Sequence, residues 1–247
     1  VGDRVCALLT GGSYAEQVNV PAPMLIPIPA GWSYEQAAAI PEVFYTAYVN
    51  LYMEANLQPG ETVLVHGGAS GVGTAAIQLL RETGNPVFVT VGSEEKAARC
   101  TELGATLAIN YKQEDFVEQV LAHTNGQGVD MILDNIGAGY FEQNLKLLKL
   151  RGRLVFIATM GGSQTQLNIG ALMGRRLRLI GSVLRGRSIP EKTEIIERFM
   201  AQFWPKLLDG TIQPIIDSIY PIEQANEAHQ RMAENKNIGK IILKVRD

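Results

Sequence analysis

The 247-residue chain carries 22 basic and 25 acidic side chains, a net charge of -3, with 46% hydrophobic and 19% charged residues. That balance excludes a disordered chain and leaves no overall basic excess to attract nucleic acid. The two cysteines, Cys6 and Cys100, cannot build a disulfide framework and have no Cys or His neighbour at zinc-ligand spacing, so no metal is expected and a reducing, cytoplasmic setting is.

In chain order, Val1 to Leu8 reads as a turn followed by a strand, and Gly11-Gly12 reads as a turn. Tyr14 to Val20 alternates, which predicts a second strand of an antiparallel sheet. Pro21, Pro23, Pro27 and Pro29 mark an extended linker. A few short strands cannot close a sheet alone, so this opening is expected to need further partners. At Ser33 the pattern turns helical: Ser33 caps, Gln36 follows three residues later, and Pro41 interrupts before a second helix through Tyr45, Tyr48, Val49 and Tyr52.

After Pro59-Gly60 a regular alternation begins. Strands are predicted at Thr62–His66, Val87–Val91, Met131–Leu133, Leu154–Ile157 and Leu177–Ile180. Helices are predicted at Thr74–Thr83, Glu94–Leu103, Asp115–Thr124 and Tyr140–Leu148. Continuously apolar strands separated by helices signal a parallel sheet covered on both faces. The tail breaks this rhythm with a helix from Pro190 to about Leu208, a strand at Pro214–Ile219, a helix at Ile222–Ala233 and a strand at Lys240–Val245. These tail elements are expected to return to the sheet begun at Val5.

The chemistry concentrates where strand Val63-Leu64-Val65 runs into His66-Gly67-Gly68-Ala69-Ser70-Gly71-Val72-Gly73 and then a helix. A pyrophosphate needs backbone N–H donors, which the first turn of a helix supplies, and glycines let the main chain approach it. Between the first strand and first helix of an α/β run, such a loop reads as a dinucleotide cradle. Gly67, Gly71 and Gly73 fit the spacing of short-chain dehydrogenases, whereas Gly68, Gly71 and Gly73 fit a medium-chain variant. The short-chain pattern also needs Tyr-x-x-x-Lys, but Tyr140 is followed at that spacing by Asn144 and Tyr220 by Gln224.

The ordered motifs Gly2-Asp3-Arg4-Val5, Ala37 to Pro41, His66 to Gly73, Leu103-Gly104-Ala105, Asn110 to Phe116 and Asn235 to Ile241 resemble the zinc-free medium-chain dehydrogenase/reductases, in particular the zeta-crystallin-like quinone oxidoreductases. The resemblance covers essentially the whole chain. It implies an α/β fold: a Rossmann doubly wound parallel sheet plus an incomplete GroES-like β-rich catalytic domain. Residues 1–43 would be the C-terminal part of that catalytic domain, 44–184 the NADPH-binding Rossmann domain, and 185–247 a tail returning to the catalytic domain. It further implies an NADPH cofactor, no metal, a homodimer or homotetramer, and a chain whose catalytic residues lie upstream of Val1.

Several residues carry this expectation singly. Ser70, Gly71 and Val72 belong to the phosphate cradle. Asn135 and Ile136, like Met160 and Gly161, follow strands at the carboxyl edge of the sheet, where ligands bind. Strand Val87–Val91 ends in Gly92-Ser93 with no acid to repel a ribose 2′-phosphate, and Lys96 lies one turn into the next helix; Glu94 and Glu95 place negative charge nearby and are expected to turn outward. The alternative is that Ser93 is only a helix cap and Lys96 only a surface lysine. By resemblance, Tyr111 and Lys236 join the 2′-phosphate site, Thr46 approaches the nicotinamide carboxamide, and Leu184 and Arg185 contact the cofactor. Thr46 equally suits a hydroxyl bonded to its own helix. His66, His123 and His229 have no second ligand or carboxylate at catalytic spacing and read as structural or exposed.

The expected activity is zinc-independent hydride transfer from NADPH to a quinone or α,β-unsaturated carbonyl. The alternatives are a non-catalytic NADPH-binding protein, crystallin-like or nucleic-acid-binding, and an enoyl reductase module. The partners expected are a small-molecule quinone or enone and further copies of the chain, with no membrane and no nucleic acid.

Overall fold

The computed structural model describes residues 1–246, so the tail boundary expected at Asp247 lies outside the described residues. The elements are β1 (Val5–Ala7), β2 (Leu25–Pro27), α1 (Tyr34–Ala38), α2 (Pro41–Tyr48), β3 (Val63–His66), α3 (Gly71–Glu82), β4 (Val87–Val91), α4 (Glu94–Leu103), β5 (Leu107–Asn110) and α5 (Phe116–His123). They continue as β6 (Val129–Asp134), α6 (Phe141–Leu147), β7 (Leu148–Phe156), α7 (Ile169–Arg175), β8 (Arg178–Gly181), α8 (Ile189–Leu208), β9 (Ile216–Pro221), α9 (Ala225–Ala233) and β10 (Lys240–Lys244). Two compact units emerge: one from residues 1–48, 70–75 and 183 onward, the other from 49–69 and 76–182.

The second unit is built on a six-stranded sheet in the order β5-β4-β3-β6-β7-β8. Every pairing in it is parallel. Chain direction across the sheet reverses between β3 and β6, the switch point at which open α/β sheets bind ligands. β3 and β4 are buried along their whole length, as their unbroken apolar runs require. In register, Leu64 pairs with Phe88 and with Ile132, and Ile132 with Leu154. This row packs with Phe116 and Val120 of α5 and with Phe141 and Leu145 of α6 into one core. Ser93 and Asp115 cap α4 and α5 by accepting backbone N–H bonds, which is why both helices start where the sequence places them.

The first unit is assembled differently. β1 pairs antiparallel with β2, and β9 pairs parallel with β10, in separate two-stranded sheets. Its helices are announced locally. Ser33 with Gln36 and Ser188 with Glu191 form complete capping boxes, and Pro41 opens α2 at the first helical position. Phe199 of α8 packs edge-on against Tyr45 and Tyr48 of α2.

Three expectations are corrected. Tyr14–Val20 is not a strand: residues 14–19 are all exposed, so the period-2 pattern buries neither face and gains nothing from extension. The partner of β1 lies instead in the proline-marked stretch, where Pro27 tolerates the missing N–H at the end of an edge strand. The tail strands do not hydrogen-bond to the sheet begun at Val5; they pair with each other. β5 and α7 were not anticipated, and the strand expected at Leu154–Ile157 begins at Leu148.

Candidate functional site

At the carboxyl edge of the parallel sheet, the loop after β3 meets the loop after β6. Gly67 has φ +71, and a Cβ there would lie 2.8 Å from Asn135 Nδ2. Gly68 comes so close to β4 that a Cβ would stand 2.5 Å from Val89 Cβ. Both glycines are therefore demanded by backbone approach. Ser70 Oγ accepts from Gly73 N–H at 3.0 Å and so caps α3, while the chain at Ser70 bridges Gly239 just ahead of β10.

Asn135 carries the clearest mark of a ligand site. Its Oδ1 is buried and accepts no hydrogen bond, although it sits beside Gly67 at the switch point. A buried acceptor without a donor is costly, so a hydroxyl or amide donor of a ligand would complete it. The loops on this side are stitched together by backbone bonds: Met160 N–H donates to Asn135 O at 3.1 Å, Gly161 N–H to Ile136 O at 2.7 Å, and Ala138 N–H to Gly162 O at 2.9 Å. A Cβ on Gly161 would fall 2.7 Å from Ile136 Cγ2, which explains the glycine there. Met160 is 79% exposed.

Behind these loops runs a buried polar chain. Asp134 accepts from Ile136 N–H at 2.6 Å, Gly137 N–H at 3.2 Å and Asn144 Nδ2 at 3.2 Å. Asn144 Oδ1 then faces His66 Nε2 at 2.7 Å, and His66 Nδ1 faces Thr90 Oγ1 at 3.0 Å. Because Asn144 spends its amide donor on Asp134, its oxygen must accept from Nε2–H. Nδ1 is then bare and accepts from the Thr90 hydroxyl. Burial holds His66 below the usual imidazole range and pushes the Asp134 carboxyl up, against the opposing pull of His66 and three N–H donors. His66 is thus structural, as expected, but it is joined to a carboxylate through Asn144.

The second strand ends as anticipated, in Gly92-Ser93. Ser93 Oγ accepts from Lys96 N–H at 3.3 Å, and Asn110 Nδ2 donates to Glu94 Oε1 at 2.7 Å, so Glu94 turns toward the end of β5 and not outward. Tyr111 reaches over Gly92, where a Cβ would lie 2.8 Å from its hydroxyl. Lys96 is only 8% exposed, which removes it from the class of surface lysines. Gly92, Ser93 and Tyr111 are brought together; Lys96 stands in the first turn of α4, beside the cap.

The remaining expected residues belong to the other unit. Thr46 is buried, and its hydroxyl approaches Glu42 Oε1, one turn earlier, at 3.4 Å. Leu184 is buried, and Arg185 is exposed, with its guanidinium against Gly11. Lys236 is ion-paired to Glu234 at 2.6 Å. Gly71 shows a residue that the sequence reading missed: a Cβ there would meet Lys240 Cδ and Val43 Cγ1 at 2.8 Å. Burial lowers the Lys240 ammonium, with Glu42 opposing. Only the proximity of β10 to the start of α3, a tertiary fact, could have revealed it.

Among the described residues no cluster of three or more His, Cys, Asp or Glu could hold a metal ion, and no helix is long and apolar enough to cross a membrane. Cys6 and Cys100 are free thiols pushed by burial to about 11 and about 12.

Residues 71–201 match the family model described as zinc-binding dehydrogenase. Over 98% of its length the chain is 32% identical to the human synaptic vesicle membrane protein VAT-1 homolog, of which it spans 65%, just under two thirds. It is 34% identical over 99% of its length to a lovastatin diketide synthase of Aspergillus terreus, of which it covers 10%. Among solved structures, it matches an Escherichia coli quinone oxidoreductase complexed with NADPH, with a TM-score of 0.89 and 30% identity, covering 98% of this chain and 75% of that one.

Proposed function

Because the chain belongs to the zinc-binding dehydrogenase family, among its quinone-oxidoreductase-like members, we propose an NADPH-dependent reductase that acts on quinones or α,β-unsaturated carbonyls without zinc. The observation that carries this reading is the partnerless Asn135 Oδ1 beside Gly67, at the switch point of a parallel sheet. NADPH, when bound, supplies the hydride. The chain's own groups hold and orient it. Backbone N–H groups of the glycine loop and the first turn of α3 face the diphosphate. Asn135 Oδ1 accepts from a ligand hydroxyl or amide. The stitched loops at Asn135–Gly137 and Met160–Gly161 would line the nicotinamide end of the site as one fixed surface. Ser93, Tyr111 and Lys96 would read the 2′-phosphate, since β4 itself ends without an acid, although the Glu94 carboxylate turns toward the end of β5.

The test has two stages. Titration with NADPH, followed by nucleotide fluorescence, should show saturable binding that Asn135→Leu weakens. The whole protein supplied with a simple quinone should then consume NADPH. Binding without quinone-dependent consumption would favour a non-catalytic NADPH-binding protein. The match to a diketide synthase favours a second reading, an enoyl-reducing module of a larger synthase, which would show as turnover of a thioester-linked enoyl group and none of a quinone.

Assembly is also proposed. β8 lies at the edge of the sheet, with Val183 just beyond it 66% exposed. An open edge is a liability unless paired. Pairing with its counterpart in a second copy would extend the sheet across a two-fold axis. Sedimentation at micromolar concentration should show a dimer or larger species in a cytoplasm-like buffer, and a monomer would refute it.

A further inference from the structure

The first unit carries an open cavity of about 570 Å³ whose wall includes Leu8, Leu9, Tyr14, Glu42, Arg185 and Lys192. That volume lies within the range of small-molecule sites. The charges in its wall do not balance. Lys192 is only 5% exposed, and its ammonium donates to a neutral partner, Arg185 O, at 2.9 Å. The neighbouring Glu191 is engaged by Ser188, whose backbone N–H donates to it at 2.8 Å and whose hydroxyl donates at 2.7 Å. Lys192 also acts on the Glu191 carboxylate at a distance, but its hydrogen bond goes to a carbonyl, so the buried ammonium is only partly compensated.

Arg185 adds a second cation. It is exposed, and its Nη2 would lie 3.3 Å from a Cβ on Gly11, so the guanidinium rests on the glycine turn. Glu42 is the one carboxylate in the wall, and it is answered by the half-buried Lys240 and approached by the Thr46 hydroxyl at 3.4 Å. Two cations therefore border the cavity with no carboxylate in hydrogen-bond contact with either, beside the apolar surface of Leu8 and Leu9.

We propose that this cavity is an anion-receiving subsite, and that the acceptor of the reductase is an apolar molecule bearing one carboxylate, whose charge Arg185 and Lys192 take up. A planar guanidinium receives a carboxylate through two parallel hydrogen bonds, while the lysine contributes a point charge from behind. Arg185 is thereby assigned to the acceptor and not to the cofactor contact that family resemblance gives it. Identifying the ligand as the acceptor rests on the reductase reading; the anion site itself does not.

Calorimetric titration of the full chain with octanoate, octanamide and inorganic phosphate, without nucleotide, tests this directly. Octanoate should bind about 10-fold or more tighter than octanamide, as a charge-assisted bond predicts. Arg185→Gln, an exposed position, should remove that difference and leave octanamide binding where it was. Lys192→Met keeps the aliphatic stem and should weaken octanoate in the same direction. Equal binding of octanoate and octanamide, no binding of either, or an Arg185→Gln protein that still prefers octanoate would overturn the subsite. So would displacement of octanoate by phosphate together with an equal loss of NADPH affinity in Arg185→Gln, since the cations would then serve the cofactor. If quinone-dependent NADPH consumption is absent while octanoate still binds, the acceptor assignment alone falls.

Discussion

The two units of this chain reach order by different routes. The second unit buries a continuous parallel sheet whose strands announce themselves by unbroken apolar runs and whose register brings Leu64, Phe88, Ile132 and Leu154 into one row. The first unit has two separate two-stranded sheets and leaves Val5, Leu25 and Ile219 partly open to solvent. Two of its helices, α1 and α8, start at capping boxes, a local device, whereas its strands have no local guarantee. Stability in the second unit should therefore be cooperative and set by the core, and in the first it should be piecemeal.

Paired truncations give the largest separation. Leu64→Ala, at a position with no exposure, should cost about 2–5 kcal/mol, and Leu25→Ala, on an exposed edge strand, less than about 0.5 kcal/mol. Urea unfolding measures both, and equal losses would erase the distinction between the units. Hydrogen exchange on the unmodified protein should agree, with slow amides in β3 and β4 and fast ones in β1 and β2.

Next in size is the cofactor end of the second unit. Losing the Lys96 ammonium should weaken NADPH by about 10- to 150-fold and leave NADH nearly unchanged, the range expected for one charge-assisted bond. Dissociation constants for Lys96→Ala at fixed salt decide it. Equal losses for both nucleotides would show that the lysine supports the helix and does not read the phosphate.

The buried polar chain gives a smaller, pH-dependent effect. His66 has a folded pKa below its unfolded value, so the unfolded chain binds the extra proton as pH falls through about 6.5. The stability His66 contributes is present above that pH and is lost below it, at up to about 1.4 kcal/mol per pH unit. Asp134, shifted upward by burial, acts with the opposite sign, its contribution declining as pH rises above the ordinary carboxylate range. Unfolding at pH 7 and pH 5.5 should therefore show a loss on acidification that His66→Gln flattens. An unchanged slope in that variant would remove His66 from the titration.

Least costly is a cap in the first unit. Ser188→Ala removes one capping box and should cost about 1 kcal/mol, with fraying confined to the start of α8. A loss as large as that of Leu64→Ala would mean the first unit is as cooperative as the second.

Much of this was legible before any coordinates. The helix starts at Ser33 and Ser93, the strands at Val63 and Val87 and the glycine cradle all depend on neighbours within a few residues or on a continuous apolar run. So did the end of β4 in Gly92-Ser93, without an acid. Alternation at Tyr14–Val20 misled because period 2 carries meaning only when one face is buried, and neither is. β5 escaped notice because four residues, Leu107–Asn110, form a strand only through their pairing with β4.

The sequence by itself thus determined what local chemistry and long apolar runs can encode: a parallel α/β unit, its capped helices and the phosphate loop between the first strand and first helix. Only the tertiary structure decided which polar groups end up without partners. Asn135 Oδ1 lacks a donor, and Lys192 faces a carbonyl where a carboxylate would balance it. Lys240 lies against Gly71 although 169 positions separate them in the chain numbering (240 - 71). Burial and pairing are properties of what packs around a side chain, and those neighbours come from distant segments that no window along the chain contains.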